Sequence, residues 1–463
     1  MQIIKVSVII PMLNAASHIK ECLDSVIRQT LQEIEIWCVD AGSTDGTPNI
    51  VREYSETDIR IRLLESDRKS YGYQVNMGID AAEGMYIGIV EPDDYIWEDM
   101  FEKLYNAARE NHLDFVKSNF YKFMDYMGKR HYQKWERSAW GNKVSYGSVI
   151  LLKDTPQALV YGDHGNIWSG IYRREFIANK WIRLHETLGA SYQDTGFALL
   201  CSMEAERIMF LEDAFYYYRQ DNVGSSVSSQ EKHSTIIKEY QWIWEQMQAR
   251  KLTDEVSRSF YMAMKFHSYL WNYNRLYSDS RQKFLENLVK DEILDFDETL
   301  VSFVIPEKDK MLALWKGDWS DVRIKNERDE KRRNNAREIL RIFKKVSRMV
   351  IVCAGEQAVS LLELEDRLGT GKVCAVCDNS LAVQGTSVVN RKVISVKEAV
   401  AGYPDAYFVI ANKRHIQELQ EQLRGMGITE EKICICQEKA RIGSKFIDFL
   451  LMDDTMCHSE DEA

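Results

Sequence analysis

Short apolar segments rich in β-branched residues recur four times in the first hundred residues, and this recurrence constrains the fold more than any other feature. The stretches between them carry apolar residues at helical spacing, as at Ile19, Leu23 and Val26. Strands that alternate with helices in this way predict βαβ units and a mostly parallel sheet covered on both faces. The four predicted strands lie at residues 6–10, 34–39, 61–64 and 85–90.

Three polar loops follow predicted strands, at residues 11–14, 40–45 and 91–94. The carboxyl ends of parallel strands meet at one edge of a sheet, where ligands bind, so we expect these loops to form one site. Adjacent carboxylates at Asp93 and Asp94 repel each other unless a divalent cation neutralises them. An ordinary turn is the alternative interpretation, because Asp is common in turns. The acidic loop at 40–45 favours a binding site, since a carboxylate there can accept a hydrogen bond from a base or a ribose hydroxyl.

The chain changes character twice after the first α/β region. Residues 234–319 are helical in pattern and rich in aromatics, and residues 323–348 carry many Lys and Arg, which predicts a basic helix. Strand and helix patterns then return, beginning with VIVCAG, and predict a second, small α/β domain. We therefore divide the chain into an α/β domain (1–230), a helical segment with the basic linker helix (231–347), a small α/β domain (348–450) and an acidic mobile tail (451–463).

The charge balance and hydropathy limit the partners and the location. Lys and Arg number 60 against 71 Asp and Glu, a net charge of −11, so we expect no nucleic-acid partner. No apolar run approaches the ~18 residues that cross a bilayer, and no signal-peptide pattern opens the sequence, so we expect a cytoplasmic protein. Peripheral contact of the basic helix with the inner membrane face is the alternative to a fully solvated helix.

The nine cysteines predict buried, reduced thiols rather than a disulfide framework, because their number is odd and they lie mostly in apolar, strand-like surroundings. Cys374 and Cys377 have the CxxC spacing of zinc sites. Residues three apart in a strand point to opposite faces, however, so core packing is the favoured interpretation.

Four segments resemble the family 2 glycosyltransferases of the GT-A fold: VSVIIPMLN, WCVDAGSTDGT, NMGIDAAEGMYIGIVEPDDY and SYQDTGFAL. They follow the family's order and cover about residues 5–220. The resemblance implies an α/β nucleotide-diphospho-sugar transferase domain that uses Mg or Mn. It further implies an inverting transfer of a sugar from a nucleotide-sugar donor, a UDP-sugar, to an acceptor hydroxyl. The expected setting is the synthesis of a cell-surface polysaccharide or a lipid-linked glycan.

The resemblance also implies roles for individual residues. Asp194 matches the general base, and Asp40 matches the acid that contacts the uracil. The loop from Pro11 to Asn14 forms the wall beside the base. Asp93 and Asp94 match the metal-binding pair, with Asp94 as the more direct metal ligand and Asp93 facing the ribose or the metal. One carboxylate cluster would then bind the donor and another would deprotonate the acceptor.

Five further residues are candidates for the acceptor side or for closure over the donor. A polar ring such as that of Trp168 can stack on a sugar, and Arg173 can hold a phosphate. A structural role is the alternative, and for Trp168 it is the commoner one. Tyr218 and Arg219 match a segment that closes over the donor in relatives. The candidates are His164, Trp168, Arg173, Tyr218 and Arg219.

Two positions depart from the family pattern. Gln193 precedes the base where many members have Glu, and Val75 replaces an Arg of the donor loop, so Arg68 or Lys69 would have to contact the diphosphate. These departures leave an alternative function, a catalytically inactive GT-A scaffold that organises other glycan-assembly enzymes.

The small C-terminal domain resembles the Rossmann-like domains found beside sugar-modifying enzymes. Its glycine fingerprint is incomplete, because Glu356 follows Gly355 where a pyrophosphate would approach. We therefore expect this domain to mediate homo-oligomerisation or docking of a partner enzyme rather than nucleotide binding.

Overall fold

The computed structural model describes residues 3–136, 138–139, 142–143, 145–154, 165–222, 232–276, 278–288 and 334–437. The chain divides into two compact units. The first comprises Met1–Phe123 and Lys134–Trp319, and the second comprises Met124–Gln133 and Ser320–Ala463. The four-part division made from the sequence stays a prediction, and its acidic tail lies outside the described residues.

The first unit contains most of a ten-stranded sheet, and the part of that sheet within residues 124–133 belongs to the second unit. The strands of this sheet are β1 (Val6–Met12), β2 (Ile34–Asp40), β3 (Ile61–Glu65), β4 (Tyr86–Ile89), β5 (Tyr95–Ile96), β6 (Phe115–Tyr126), β7 (Lys129–Trp135), β10 (Ile150–Leu151), β11 (Gly170–Arg173) and β12 (Arg207–Arg219), while β8 (Ser138–Ala139) and β9 (Asn142–Lys143) pair separately. The order is β10-β12-β6-β11-β4-β1-β2-β3, with β5 beside β12 and β7 beside β6.

The strands predicted from the sequence form the parallel part of this sheet, in the order β3-β2-β1-β4. Beyond β4 the sheet becomes mixed, because β11 runs antiparallel to both β4 and β6, and β6 is parallel to β12. All seven residues of β1 are buried, as expected for a strand covered on both faces. The predicted α/β fold is confirmed, with a mixed rather than a mostly parallel sheet.

Nine helices of the first unit lie in the part of the chain that the structure describes. Helix α3 lies against β1, where a Cβ on Gly78 would come within 2.5 Å of an Ile9 methyl carbon, so glycine permits the close approach. The helices are α1 (Ile19–Ile27), α2 (Thr47–Thr57), α3 (Tyr71–Ala81), α4 (Met100–Glu110), α5 (Arg174–Asn179), α6 (Gln193–Glu204), α7 (Thr235–Arg250), α8 (Glu255–Arg275) and α9 (Ser278–Leu288).

The second unit has a six-stranded sheet in the order β15-β16-β14-β13-β17-β18, parallel except for the β15–β16 pair. The order β16-β14-β13-β17-β18 is that of Rossmann-like folds. Its described elements are α10 (residues 334–345), β13 (Met349–Val352), α11 (Glu356–Leu368), β14 (Val373–Asp378), β15 (Ser387–Val388), β16 (Arg391–Ser395), α12 (Val396–Gly402), β17 (Tyr407–Ile410), α13 (Ile416–Gly425) and β18 (Ile433–Ile435).

Helix α10 is the described part of the predicted basic helix. One face carries Leu340 and Phe343, which are buried in the same core cluster as the β13 residue Ile351. The helix is therefore amphipathic and packs on the sheet of its own unit. Across the described segments, no helix is long and apolar enough to cross a membrane.

Candidate active site

The loop after β2 is folded around the carboxylate of Asp40. Oδ2 of Asp40 accepts hydrogen bonds from the backbone N–H groups of Gly42 and Ser43, both at 2.9 Å, and Oδ1 accepts one from the Ser43 hydroxyl at 2.5 Å. Gly42 has a φ of +79°, a conformation that favours glycine. Asp40 is buried and shapes the loop that follows its strand.

Asn14 joins the loop after β1 to the loop after β2 by hydrogen bonds. Pro11 lies buried within β1, beside Val39 of β2. Oδ1 of Asn14 accepts a hydrogen bond of 2.8 Å from the Thr44 N–H, and the Asn14 N–H donates one of 2.8 Å to the Ser43 hydroxyl. The two loops predicted to bind the nucleoside therefore lie side by side.

A cavity of about 420 Å³ opens beside these loops. Its wall includes Asp40 and Thr44, together with Arg52 and Glu65, which form an ion pair of 2.9 Å. Hydroxyl, carboxylate and guanidinium groups therefore face a space large enough for a polar ring.

Gln74 is a site residue that the sequence analysis missed. Its side-chain NH₂ donates to the carbonyl oxygen of Met12 at 2.8 Å and to that of Val39 at 2.6 Å. These carbonyls belong to the carboxyl ends of β1 and β2, so one buried amide ties both strand ends to α3. Gln74 follows no strand and belongs to no acidic motif, so no sequence pattern indicates that it joins the two strand ends.

The loop after β4 holds Asp94 in a buried position. Oδ2 of Asp94 accepts a hydrogen bond from the Tyr216 hydroxyl and Oδ1 accepts one from the Arg219 N–H, each at 2.7 Å. Burial, followed by the charge of Asp93, raises the pKa of Asp94 well above its usual range. Asp94 is 1% exposed. Both oxygens of Asp94 thus accept hydrogen bonds from β12, and its assignment as the more direct metal ligand stays a prediction.

Asp93 has a different environment. It is partly exposed, and its Oδ2 accepts a hydrogen bond of 2.7 Å from the Asn222 side chain. Within the described residues, no hydrogen bond reaches its Oδ1. Asp93 thus offers the more accessible carboxylate oxygen of the adjacent pair.

Glu91 is the first residue of the acidic loop at 91–94. Its Oε1 accepts a hydrogen bond of 2.5 Å from the Tyr71 hydroxyl. The pKa of Glu91 is raised to about 8, chiefly by burial; the Tyr71 hydrogen bond opposes this rise, and the charges of Asp93 and Asp194 add to it. The charges of Glu91 and Asp194 likewise raise the pKa of Tyr71, after burial. Asp194 therefore lies within electrostatic reach of the loop that carries Asp93.

Asp194 occupies the first turn of α6, and its Oδ1 accepts a hydrogen bond of 2.9 Å from the Thr195 N–H. The preceding residue, Gln193, is buried and binds its own loop: its Oε1 accepts from the Ser191 N–H, and its NH₂ donates to the Thr187 hydroxyl at 2.8 Å. The amide that replaces the family's Glu thus supports the turn before α6.

Tyr218 and Arg219 end β12 next to the acidic loop. After burial, the charges of Asp94, Asp93, Asp194 and Glu91 all raise the pKa of Tyr218, which places this phenol among the carboxylates. Arg219 is buried, and its Nε donates to the Asp93 carbonyl at 2.9 Å while its guanidinium pairs with Glu21 at 2.6 Å. Arg219 therefore clamps the acidic loop onto β12 and α1.

Trp168 and Arg173 both have structural contacts, and their place on the acceptor side stays a prediction. Trp168 is 6% exposed and stacks on Tyr216 with ring centroids 4.2 Å apart, so it supports the residue that binds Asp94. Arg173 pairs in the sheet with Tyr86, at the amino end of β4, and forms an ion pair with Asp114. His164 lies outside the described residues.

The remaining predicted contacts are explained by local packing. Val75 is buried in the first unit. Arg68 lies over the Tyr73 ring at 4.3 Å and pairs with Glu186 at 3.3 Å. Glu212 and Asp213 are exposed at a bulge in β12.

The residues fit a metal held jointly with a ligand. Among the residues described here, no group of three or more His, Cys, Asp or Glu side chains could hold an ion by itself. Mg²⁺ in nucleotide sites commonly takes only one or two carboxylates and fills its other positions with phosphates and water. The accessible Oδ1 of Asp93, next to the Glu91 carboxyl, satisfies that more modest requirement.

Comparisons with known proteins agree with this architecture. Residues 7–177 match the family model of Glycosyl transferase family 2. The chain is 33% identical over 221 residues to the uncharacterized glycosyltransferase EpsJ of Bacillus subtilis, covering 47% of this chain and 61% of that protein. It is 37% identical over 114 residues to the poly(ribitol-phosphate) beta-glucosyltransferase of Bacillus spizizenii, covering 24% of this chain and 18% of that protein. The chain thus spans less than two thirds of either relative.

The fold also resembles a solved structure, S. aureus TarS 1-349 in complex with UDP-GlcNAc. The TM-score is 0.52 at 21% sequence identity, and the match covers 71% of this chain and 92% of that one. Together with the strand order and the family model, this likeness agrees with a GT-A-type sheet. Residues 7–177 are therefore similar to the domain of Glycosyl transferase family 2.

Proposed function

We propose that this protein is an inverting, metal-dependent glycosyltransferase that moves a sugar from a UDP-sugar to an acceptor hydroxyl. One observation carries the proposal: Asp93, after β4, and Asp194, at the start of α6, both act electrostatically on Glu91. This coupling supports a site in which Asp93 lies on the diphosphate side and Asp194 can accept a proton. This is the arrangement that direct displacement at a sugar carbon requires.

The nucleoside would bind beside the loops after β1 and β2. Asp40 and Asn14 shape these loops, and the neighbouring cavity has a polar wall suited to a base or a ribose. A UDP-sugar is favoured as the donor class because the fold resembles that of TarS, whose structure contains UDP-GlcNAc.

Asp93 would hold Mg or Mn together with the donor diphosphate. Such an ion, when bound, neutralises the charge that develops on the departing diphosphate. Asp94 would act indirectly, since its bonds to Tyr216 and Arg219 fix the loop that presents Asp93. The partial exposure of Asp93 supports its assignment to the metal and that of Asp94 to the loop.

Asp194 would accept the proton of the attacking hydroxyl. Its position in the first turn of α6 and its bond from the Thr195 N–H hold the carboxylate in place while leaving it partly exposed. A base opposite the leaving diphosphate produces inversion at the anomeric carbon. The acceptor class we propose is a glycan or lipid-linked glycan of the cell surface, reached from the cytoplasm or the inner membrane face. The similarity to a poly(ribitol-phosphate) beta-glucosyltransferase supports this acceptor class.

The test is UDP release from a panel of UDP-sugars with Mn²⁺ for the native chain and for Asp194→Asn. Asn can still accept the Thr195 N–H bond, so the variant should fold. We expect release by the native chain and a loss of roughly 100-fold or more in the variant. Asp213→Asn, an exposed acid on β12, is the matched control and should keep full activity. Absence of release with every donor would favour the inactive scaffold.

A further inference from the structure

A histidine and a buried glutamate form a pair beside the start of α6. Nδ1 of His185 lies 2.9 Å from Oε2 of Glu239, a residue of α7 that is 2% exposed. The imidazole stacks on Trp242 of the same helix, with ring centroids 4.6 Å apart and planes 4° from parallel. One nitrogen and one face of the imidazole are therefore fixed by α7.

The opposite edge of the ring is not enclosed. The side chain of His185 is 24% exposed, while that of its partner Glu239 is 2% exposed. Because Nδ1 faces a carboxylate, the neutral ring carries its proton there and Nε2 becomes a hydrogen-bond acceptor. A buried carboxylate thus selects the tautomer of a half-exposed imidazole, the arrangement by which proteins orient histidines that bind ligands.

The chain makes room for this pair at a helix glycine. A Cβ on Gly196 would lie 2.5 Å from Oε1 of Glu239 and 2.6 Å from the Trp242 ring. Glycine inside a helix costs about 1 kcal/mol relative to alanine. Gly196 follows Asp194 by two residues, so the pair lies against the turn that carries the candidate base.

His185 also borders the segment that faces the carboxylates. Its backbone carbonyl approaches Gly72, at 2.1 Å from the position a Cβ would take. Gly72 adjoins Tyr71, whose N–H donates to the Gly189 carbonyl at 3.0 Å and whose hydroxyl binds Glu91. The segment that leads from His185 to Asp194 therefore contacts the amino end of α3.

From these contacts we infer that His185 is an acceptor-binding residue, whose Nε2 accepts a hydrogen bond from a hydroxyl of the acceptor sugar. Glu239 and Trp242 are positioning residues that hold the imidazole for it. The inference rests on the proposed function and adds to it a specific contact on the acceptor side.

The experiment separates acceptor use from donor use. UDP release from UDP-GlcNAc or another accepted UDP-sugar is measured with and without methyl β-D-glucoside or methyl β-D-galactoside, and the increase over hydrolysis reports on the acceptor. His185→Asn keeps an N–H donor for Glu239 and deletes Nε2, so it should fold as the native chain does. His415→Ala removes an exposed histidine paired with Glu418 in the second unit and serves as the control.

We expect His185→Asn to lower the acceptor-dependent rate roughly tenfold or more, with unchanged hydrolysis and an unchanged thermal midpoint. Glu239→Gln should lower the acceptor-dependent rate less, and His415→Ala should leave that rate unchanged. An acceptor-dependent rate that is native-like in His185→Asn, or hydrolysis that falls in parallel with it, would overturn the inference. Absence of UDP release from any donor by the native chain would instead overturn the proposed function.

Discussion

The backbone N–H of Arg219 donates a hydrogen bond of 2.7 Å to Oδ1 of Asp94, across 125 positions of sequence. The bond joins the end of β12 to the loop after β4, and the Tyr216 hydroxyl makes a second bond to the same carboxylate. The two adjacent aspartates therefore have different environments, since Asp94 holds the loop and Asp93 is partly exposed. The adjacent carboxylates of an acidic motif need not both be ligands.

Replacement of Asp94 should reduce stability more than replacement of Asp93. Asp94→Ala leaves the Arg219 N–H and the Tyr216 hydroxyl buried without their acceptor, which should cost about 2–5 kcal/mol of unfolding free energy. Asp93→Ala removes a partly exposed carboxylate and should cost less than about 1 kcal/mol. Urea unfolding of both variants measures the difference, and equal destabilisation would contradict the division of roles.

Gln74 should be a stability residue of the donor-side loops. Gln74→Leu removes the donor that the Met12 and Val39 carbonyls share. The Met12 carbonyl keeps the Ala41 N–H at 3.0 Å, so we expect a loss of about 1–3 kcal/mol. Gln282→Leu, on the exposed surface of α9, is the matched control and should change stability little. Chemical denaturation checks both variants, and a native-like midpoint for Gln74→Leu would exclude the proposed bridge.

Gly196 should resist substitution although it lies in a helix. Alanine favours helices by about 1 kcal/mol over glycine, yet a Cβ here would collide with Glu239 and Trp242. Gly196→Ala should therefore be destabilising. Gly402→Ala, in α12, meets nothing within 4 Å and should be neutral or stabilising. Thermal unfolding of the pair compares them directly, and a more stable Gly196→Ala variant would contradict the close approach of α7.

His267, on α8, should make stability depend on pH. Burial lowers the pKa of His267 from 6.5 to about 4, so the folded protein resists a proton that the unfolded chain accepts. The contribution to stability is complete above pH 6.5 and is lost as the pH falls from 6.5 toward 4, by about 3 kcal/mol. His267→Leu should lose less stability than the native chain between pH 7.5 and 5 in urea titrations. Identical losses in the two proteins would show that this histidine does not contribute.

Local patterns were enough to predict the fold class. Each strand of the β3-β2-β1-β4 group is a short apolar run bounded by turn residues, so its burial follows from its own composition. The polar loops at 11–14 and 40–45 are neighbours because parallel strands end at the same edge. The antiparallel placement of β11 carries no such signal, since strand direction depends on the partner rather than on the residues of the strand. That direction is why Arg173 lies at the far end of the sheet.

The sequence by itself determined the α/β character of this protein, its resemblance to family 2 glycosyltransferases, and the residue types available for binding and proton transfer. These properties depend on local periodicity and on motifs that are contiguous in the chain. Only the tertiary structure decided which carboxylates are accessible, that Gln74 ties two strand ends, and that Glu239 orients His185. Such relationships join residues 35 to 125 positions apart, and they arise from packing rather than from any local pattern.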